Sequence, residues 1–132
     1  MQTLVLETER RTQLVDVTAR VREAVRGRAG RAVVIFIPHT TAGIVLQASG
    51  EGATAVAADI ERALERLVDE SSNWEHSEEG DRNPWAHVRS ALTASSITIP
   101  LEERELALGK LQTIFFCEFD GPRERRIHIT VT

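Results

Sequence analysis

Residues 35–49 read IFIPHTTAGIVLQAS, and the rest of the chain is organised around this stretch. It begins as an apolar strand and turns polar from Pro38 to Thr41, and a second apolar run follows Gly43. A rigid strand that ends in a histidine and two hydroxyls is a common way to build a site. The same pattern also describes a plain strand-to-turn junction whose hydroxyls cap backbone groups. The stretch alone leaves both interpretations open.

Size and composition indicate an ordinary globular protein. The chain has 132 residues, of which 42% are apolar and 27% charged, which suits one domain with a sizeable core. Its net charge is −4 and no basic run carries interleaved aromatics, so nucleic-acid binding is not expected. No apolar stretch reaches the roughly 18 residues of a membrane span, and the acidic N-terminus does not resemble a signal peptide. With Cys117 as its lone cysteine, the sequence predicts a soluble, cytoplasmic protein without disulfides.

Hydrophobic periodicity predicts an α+β domain with the element order β-β-α-β-β-α-α-β-β-β. Thr3 to Thr8 and Leu14 to Val17 are predicted to be the two strands of one hairpin. Thr18 is the predicted N-cap of the first helix, which ends at Gly27. The continuous run from Ala32 to Ile37 is typical of a central strand that is covered on both faces.

The second half of the chain combines two helices with three strands. The clearest amphipathic helix carries apolar residues at helical spacing, namely Val56, Ile60, Leu64 and Leu67. A further helix should begin near Pro84, because proline suits the first helical turn. Strands are predicted from Ile97 to Leu101, from Leu111 to Asp120 and from Ile127 to Val131, with turns at residues 102–105 and 121–123.

Three histidines adjoin polar turns, namely His39, His76 and His87. Their spacing matches no compact zinc motif, so only the fold could bring them together. Imidazoles from separate elements form catalytic metal sites, and they also transfer protons near neutral pH. The alternative is that each ring satisfies a turn or packs against a tryptophan. His128 is expected to be an exposed residue of the last strand.

The strand from Leu111 to Asp120 places carboxylates beside apolar side chains. Period-two geometry puts one set of residues on one face, namely Gln112, Ile114, Phe116, Glu118 and Asp120, and the intervening residues on the other. A carboxylate beside Phe116 costs free energy unless it is paired, hydrogen-bonded or metal-bound. Arginines at 123, 125 and 126 could be its partners. Alternatively, Glu118 orients a histidine or binds a divalent ion, while Arg123 holds an anionic group.

Taken in order, several blocks of the sequence resemble the YjbQ family, which is described as secondary thiamine-phosphate synthase. The blocks are PHTTAGI, WEH, DRNPWAH, SSITIP and LALGKLQTIFFCEFDGPRERR. The resemblance covers essentially the whole chain. It implies a single α+β domain over residues 1–132, with a mixed, strongly curved β-sheet packed by two or three helices. It also implies a homotrimer with a polar pocket near the subunit contacts.

The resemblance implies functional roles for individual residues. The matching positions with catalytic roles are His39, Thr40, Thr41, Asn83, Gln112 and Glu118; Asp59 also matches a recurrent position. Arg123 and Asp120 would hold a phosphorylated or anionic metabolite. His39, His76 and His87 would bind a divalent metal, Zn²⁺ or Mg²⁺, or transfer protons. The chain departs from the family pattern at Ala48, where a carboxylate is usual, and at Leu111, where a tryptophan is usual.

The reaction that the resemblance implies joins a pyrimidine-methyl diphosphate to a thiazole phosphate and releases pyrophosphate. A divalent cation and an arginine would stabilise the departing diphosphate. One alternative is a metal-dependent hydrolase that uses the three histidines and a bound water. The other is a non-catalytic trimeric binder of small anions or metabolites that has lost the carboxylate at Ala48. Neither nucleic acid nor a membrane is expected as a partner.

Overall fold

The computed structural model describes residues 1–48, 53–71, 74–75 and 83–132, with eight strands and three helices in that part of the chain. The strands are β1 (Gln2–Glu7), β2 (Gln13–Asp16), β3 (Ala32–Phe36), β4 (Ala42–Ala48), β5 (Ser96–Glu102), β6 (Glu105–Leu106), β7 (Gln112–Glu118) and β8 (Glu124–Val131). The helices are α1 (Thr18–Val25), which precedes β3, and α2 (Ala53–Leu67) and α3 (Pro84–Leu92), which lie between β4 and β5. The predicted α+β class is confirmed.

The structure has one strand more than the sequence predicted. The expected turn at residues 102–105 is confirmed, and it pairs β5 with the short strand β6, which was not predicted. Glu103 and Arg104 both have positive φ there, 51° and 67°. Two consecutive residues of positive φ are what a two-residue hairpin connection of the commonest type requires.

The strands form two sheets, ordered β1-β8-β3-β5-β6 and β2-β7-β4. Every pairing between these strands is antiparallel, whereas the resemblance implied a mixed sheet. The predicted β1–β2 hairpin is wrong, because β1 pairs with β8 and β2 pairs with β7. The segment between β1 and β2 has no glycine to form a tight turn, so the chain passes from one sheet to the other instead.

Two crossings between the sheets lie side by side, from β1 to β2 and from β7 to β8. The two crossings are bonded to each other: the Thr8 N–H donates to the Arg123 carbonyl at 2.9 Å, and the Gly121 N–H to the Arg11 carbonyl at 3.1 Å. Gly121 precedes a cis Pro122 and lies so close to the Arg10 carbonyl that a β-carbon would clash with it. This double crossing positions the candidate site described below.

Two hydrophobic cores lie on opposite faces of the three-stranded sheet. The first fills the space between the two sheets and α1, and the second lies between the three-stranded sheet and the helices α2 and α3. Ile114 and Phe116 belong to the first core, whereas Phe115 and Cys117 belong to the second. The alternation predicted for β7 is therefore confirmed, and both of its faces are buried because a hydrophobic core packs on each side of the three-stranded sheet.

Within the described residues, one face of the five-stranded sheet packs against the core and the other face is uncovered. Val33 and Ile35 of β3 are fully buried, but Phe36 on the other face is 44% exposed. The prediction that this strand is covered on both faces is therefore wrong, since only one of its faces meets the core.

The boundaries of α1 and α3 test the predicted caps. Thr18 is not an N-cap: its N–H donates to Asp16 Oδ1 at 2.9 Å, and its hydroxyl accepts from the Ile114 N–H. The cap fails because the Thr18 hydroxyl is taken by the Ile114 N–H, and Thr18 is already the first residue of α1. The start of α3 at Pro84 is confirmed, directly after Asn83. None of the helices in the described ranges has the length and apolar composition to cross a membrane.

Candidate functional site

A cavity of about 500 Å³ opens beside the double crossing. The connection from β3 to β4 supplies one wall, residues 36–41. His87 from α3 and Ser95 from the segment before β5 also line the cavity. Arg123 and Arg125 come from the end of the β7–β8 connection and the start of β8. The PHTT block quoted at the outset therefore lines a cavity, as the functional interpretation of that stretch requires.

Glu118 and Arg125 form a buried ion pair at the base of this cavity. Their side chains are 0% and 2% exposed, and the Arg125 Nε donates to the Glu118 carboxylate at 2.8 Å. Thr8 also donates its hydroxyl to Glu118 Oε1, at 2.7 Å. Of the two interpretations of Glu118, these contacts match the arginine-paired one. A buried pair of this kind is stable only when further hydrogen bonds satisfy both groups, which Thr8 does for the carboxylate.

Thr41 and Thr40 have different surroundings. Thr41 is buried, and its hydroxyl and carbonyl oxygens accept hydrogen bonds from Arg125 Nη2 at 2.8 and 3.2 Å. Thr41 therefore holds the guanidinium in place. Thr40 is exposed on the cavity wall, and its hydroxyl makes no hydrogen bond with the described residues. Thr40 is thus the threonine of this pair whose hydroxyl is available to a ligand.

His39 lies on the cavity wall as a neutral ring. Its Nε2 accepts a hydrogen bond from the Arg126 backbone N–H at 2.9 Å, which only the neutral ring with its proton on Nδ1 can do. Burial lowers the pKa of His39, and the positive charge of Arg125 lowers it further. His39 therefore offers an Nδ1–H donor in the cavity near neutral pH.

Asn83, Asp120 and Arg123 form a chain of hydrogen bonds behind the cavity. Asp120 Oδ2 accepts from Asn83 Nδ2 at 2.7 Å and from Arg123 Nη2 at 2.6 Å. The Arg123 Nε also donates to the Asp120 carbonyl at 3.0 Å. Asn83 Oδ1 is buried and accepts no hydrogen bond from the described residues. Exchanging the positions of the Asn83 amide oxygen and nitrogen would not give this oxygen a partner, because the oxygen would then face the Asp120 carboxylate.

The predicted metal site is only partly described. His39 and His87 line the same cavity, but His76 lies outside the described residues. Within the described ranges, no three His, Cys, Asp or Glu side chains are grouped so as to hold a metal ion. The Nε2 of His39 is already bonded to the backbone. The described residues alone therefore do not fit a divalent metal, and the three-histidine site stays a prediction.

Two sequence-predicted residues lie away from the cavity. Gln112 is at the opposite end of β7 from Glu118, roughly 20 Å along the strand. Its side chain accepts the Gly109 N–H at 2.8 Å, and its strand partner is Ala48, the position of the missing carboxylate. Asp59 is exposed on α2 and pairs with Arg62 at 3.4 Å. Local structural contacts therefore account for the presence of both residues.

The structure adds Arg125, Phe36 and Ser95 to the residues that line the cavity. Sequence reasoning treated Arg125 only as one of several partners for Glu118. A signal for it was present, because the alternation of β8 puts Arg125 on the same face as Ile127 and Ile129, which are fully buried. A charge in a core-facing position needs a special environment. No comparable signal marked Phe36 or Ser95.

Comparison with known proteins places the chain in one family. The sequence matches the model of the family described as UPF0047 protein YjbQ-like over residues 2–132. A UPF0047 protein of Archaeoglobus fulgidus is 38% identical over 94% of each chain. The UPF0047 protein YugU of Bacillus subtilis is 36% identical over 98% of this chain and 96% of its own.

Solved structures agree with the sequence comparison. The crystal structure of an uncharacterised YjbQ/UPF0047 protein from Clostridium acetobutylicum has a TM-score of 0.91 at 34% identity and covers 100% of both chains. A hypothetical protein from Aeropyrum pernix has a TM-score of 0.91 at 32% identity, over 99% of this chain and 96% of its own. The match to the family model and these relatives agree across nearly the whole length, and the chain belongs to the YjbQ-like UPF0047 family.

Proposed function

We propose that the cavity binds a phosphorylated metabolite and that the protein acts as a transferase of the secondary thiamine-phosphate synthase type. The observation that carries the proposal is the pair of arginines, Arg123 and Arg125, which face one cavity. Their carboxylate partners, Asp120 and Glu118, are themselves bonded in the structure around the cavity. Among the described residues, the cavity lining therefore presents hydrogen-bond donors and no carboxylate.

The free donors suit a phosphate group. The Nη1 groups of Arg123 and Arg125 make no hydrogen bond with the described residues, although the other guanidinium nitrogens do. A guanidinium fixed by a carboxylate on one side is pre-organised to bind an oxyanion on the other. The hydroxyls of Thr40 and Ser95 and the Nδ1–H of His39 add further donors. Phosphate, with several acceptor oxygens, can use them together.

The proposed reaction joins a pyrimidine-methyl diphosphate to a thiazole phosphate. A bond forms between the thiazole nitrogen and the methylene carbon as the bond from that carbon to the diphosphate oxygen breaks, and pyrophosphate leaves. Arg123 and Arg125 would stabilise the negative charge that grows on the departing oxygen. His39 would donate a hydrogen bond to the same group from Nδ1. No step of this proposal depends on a metal ion.

The position of Ala48 supports a catalytic protein over a degenerate binder. Ala48 pairs with Gln112 at the far end of β7. Within one chain, the absence of a carboxylate at position 48 therefore does not change the lining of this cavity. The three-histidine hydrolase is supported only by His39 and His87 sharing the cavity. The homotrimer also stays a prediction, which light scattering of the purified protein would check.

The test begins with calorimetric titration of pyrophosphate into the wild type, Arg123→Ala and Arg62→Ala. Arg123 and Arg62 each pair with an aspartate three residues earlier, but Arg62 is on α2 and away from the cavity. One charge-assisted hydrogen bond is worth about 1.5–3 kcal/mol, so Arg123→Ala should weaken binding about tenfold or more. Arg62→Ala should bind like the wild type. Equal weakening in both variants would overturn the proposal.

Turnover separates the remaining candidates. Formation of thiamine phosphate from the two phosphorylated precursors, reduced in Arg123→Ala, is the expected result. Pyrophosphate binding without turnover would favour the non-catalytic binder. Hydrolysis of simple phosphoesters that chelators abolish, together with metal lost in His39→Ala and His87→Ala, would favour the hydrolase.

A further inference from the structure

Phe36 is an exposed aromatic ring at the edge of the cavity. It is the last residue of β3, and it lines the cavity together with Arg123 and Arg125. Its side chain is 44% exposed, although its neighbour Ile35 is fully buried. The described part of the chain exposes several large apolar side chains, and Phe36 is the aromatic one among them. An aromatic ring left in water beside a cluster of donors suggests a contact surface for a ligand.

The ring of Phe36 lies beside the ring of His128. His128 is its strand partner on β8, and the two rings are parallel to within 3° with their centroids 6.4 Å apart. His128 is fixed in turn by a hydrogen bond between its Nδ1 and the Thr3 hydroxyl, at 3.0 Å. A ring that is already oriented loses little conformational freedom when a second ring packs on it.

The cavity is larger than a phosphate group requires. Its volume of about 500 Å³ is in the range of pockets that hold small organic ligands. Pro38 extends the apolar surface next to Phe36, while Arg123 and Arg125 provide the cationic donors. The lining therefore has an apolar, aromatic part and a phosphate-binding part.

We propose that Phe36 is the stacking surface for a planar heteroaromatic ring carried by the phosphorylated ligand. Flat rings pack on an aromatic side chain in offset or edge-to-face geometry, with a gain beyond the area they bury. The proposal rests on the proposed function for the phosphate end and adds the residue that reads the ring. It makes Phe36 a specificity-determining residue, which selects ring-bearing phosphates over simple ones.

The test compares two probes by calorimetry. The first is the thiazole phosphate of the proposed reaction, and the second is ethyl phosphate, which has the same phosphate end without the ring. Phe36→Leu keeps an apolar side chain but removes the ring, and Phe36→Tyr keeps the ring. Val5→Ala is the control, because Val5 is an exposed apolar residue of the same sheet outside the cavity.

We expect Phe36→Leu to bind thiazole phosphate about 5- to 10-fold more weakly than the wild type does. Its affinity for ethyl phosphate should be unchanged. Phe36→Tyr and Val5→Ala should match the wild type with both probes. If Phe36→Leu weakens both probes equally or neither, or if the wild type does not prefer the ring, the proposal is overturned while phosphate binding stands. If the wild type binds neither probe, both proposals fail.

The oligomeric state of the variants completes the test. Light scattering of wild type and Phe36→Leu should give the same mass. A lower mass for Phe36→Leu alone would mean that a second copy of the chain covers the ring, and the stacking proposal would be overturned. Thermal melts of all variants, which should agree, confirm that differences in affinity do not come from loss of folded protein.

Discussion

Two arginines are almost completely buried in the described part of the protein, and they lie in different regions. Arg125, 2% exposed, is at the base of the cavity, and Arg89, 1% exposed, is on α3 in the second core. Arg125 faces a fully buried carboxylate, that of Glu118. Arg89 has only the half-exposed Glu70 at 3.7 Å, and bonds instead to the Val68 carbonyl at 2.8 Å and the Thr12 hydroxyl at 3.2 Å.

The two environments explain different roles. Arg89 lies 5.0 Å from the ring of Trp85 and uses all its guanidinium nitrogens on protein groups, so it ties α3 to the end of α2 and to the segment before β2. Burial lowers the pKa of Arg89, and the negative charge of Glu70 opposes this. Arg125 keeps one nitrogen for the cavity. A buried charge alone therefore does not identify a binding site, whereas guanidinium donors that remain unbonded beside a cavity do.

The largest expected difference between the two regions is the effect of removing the carboxylate. Glu118→Ala leaves Arg125 buried without a counter-charge and should lower the free energy of unfolding by about 3–5 kcal/mol. Glu70→Ala removes a half-exposed partner from Arg89 and should cost at most about 1 kcal/mol. Urea unfolding followed by circular dichroism measures both. Equal losses in the two variants would contradict the comparison.

A double replacement checks the physical cause. Glu118→Leu combined with Arg125→Met removes both charges and fills the space with apolar groups, so most of the lost stability should return. Pyrophosphate binding should not return, because the cavity has lost a donor. Recovered binding in this double variant would mean that Arg125 is not part of the anion site.

The second prediction concerns Arg89 itself. Arg89→Leu leaves the Val68 carbonyl and the Thr12 hydroxyl with unmade hydrogen bonds in a buried position, which should cost about 2–3 kcal/mol of unfolding free energy. Pyrophosphate affinity should not change, since Arg89 does not line the cavity. Arg123→Ala should show the reverse, weaker binding with almost unchanged stability, because its ion pair with Asp120 is partly exposed.

The sequence predicted what local periodicity controls. The alternation along β7 foretold two buried faces, and Pro84 foretold the start of α3. The pairing of β1 and β2 was wrong, because strand partners are chosen by contacts between distant segments. Proximity in sequence suggested a hairpin, but the strand partners of β1 and β2 lie in the last quarter of the chain.

The candidate site divides in the same way. The PHTT block could be recognised because it breaks an apolar run, and the structure places it on the cavity wall. Which arginine pairs with Glu118 could not be read from spacing, since three arginines follow within eight residues. Gln112 fell on the same strand face as Glu118, but a face runs the full length of a strand and the two residues occupy opposite ends.

The third prediction concerns Asn83, which supports Arg123 through Asp120. Asn83→Ala loses the hydrogen bond to Asp120 but also removes a buried oxygen without a partner, so its stability should fall by no more than about 1 kcal/mol. Pyrophosphate affinity should fall several-fold, because Arg123 is less firmly held. Thr12→Val, which removes the corresponding support from Arg89, should lower stability without changing affinity. Unchanged binding in Asn83→Ala would contradict this role.

The smallest expected effect tests whether the surroundings of His39 hold its ring neutral. Burial and Arg125 lower the pKa of His39 in the folded protein, so between the folded and unfolded pKa values the unfolded chain binds more protons. The free energy of unfolding should therefore fall as the pH drops below about 6.5, the ordinary histidine value. His39→Gln keeps an acceptor for the Arg126 N–H but cannot titrate, so urea unfolding from pH 7.5 to 5.5 should show a shallower loss of stability. An NMR titration should find the His39 pKa below its ordinary value in the wild type and in Arg89→Leu alike, since Arg89 lies in the other region. An identical pH dependence in wild type and His39→Gln would show that the ring is not held neutral by its surroundings.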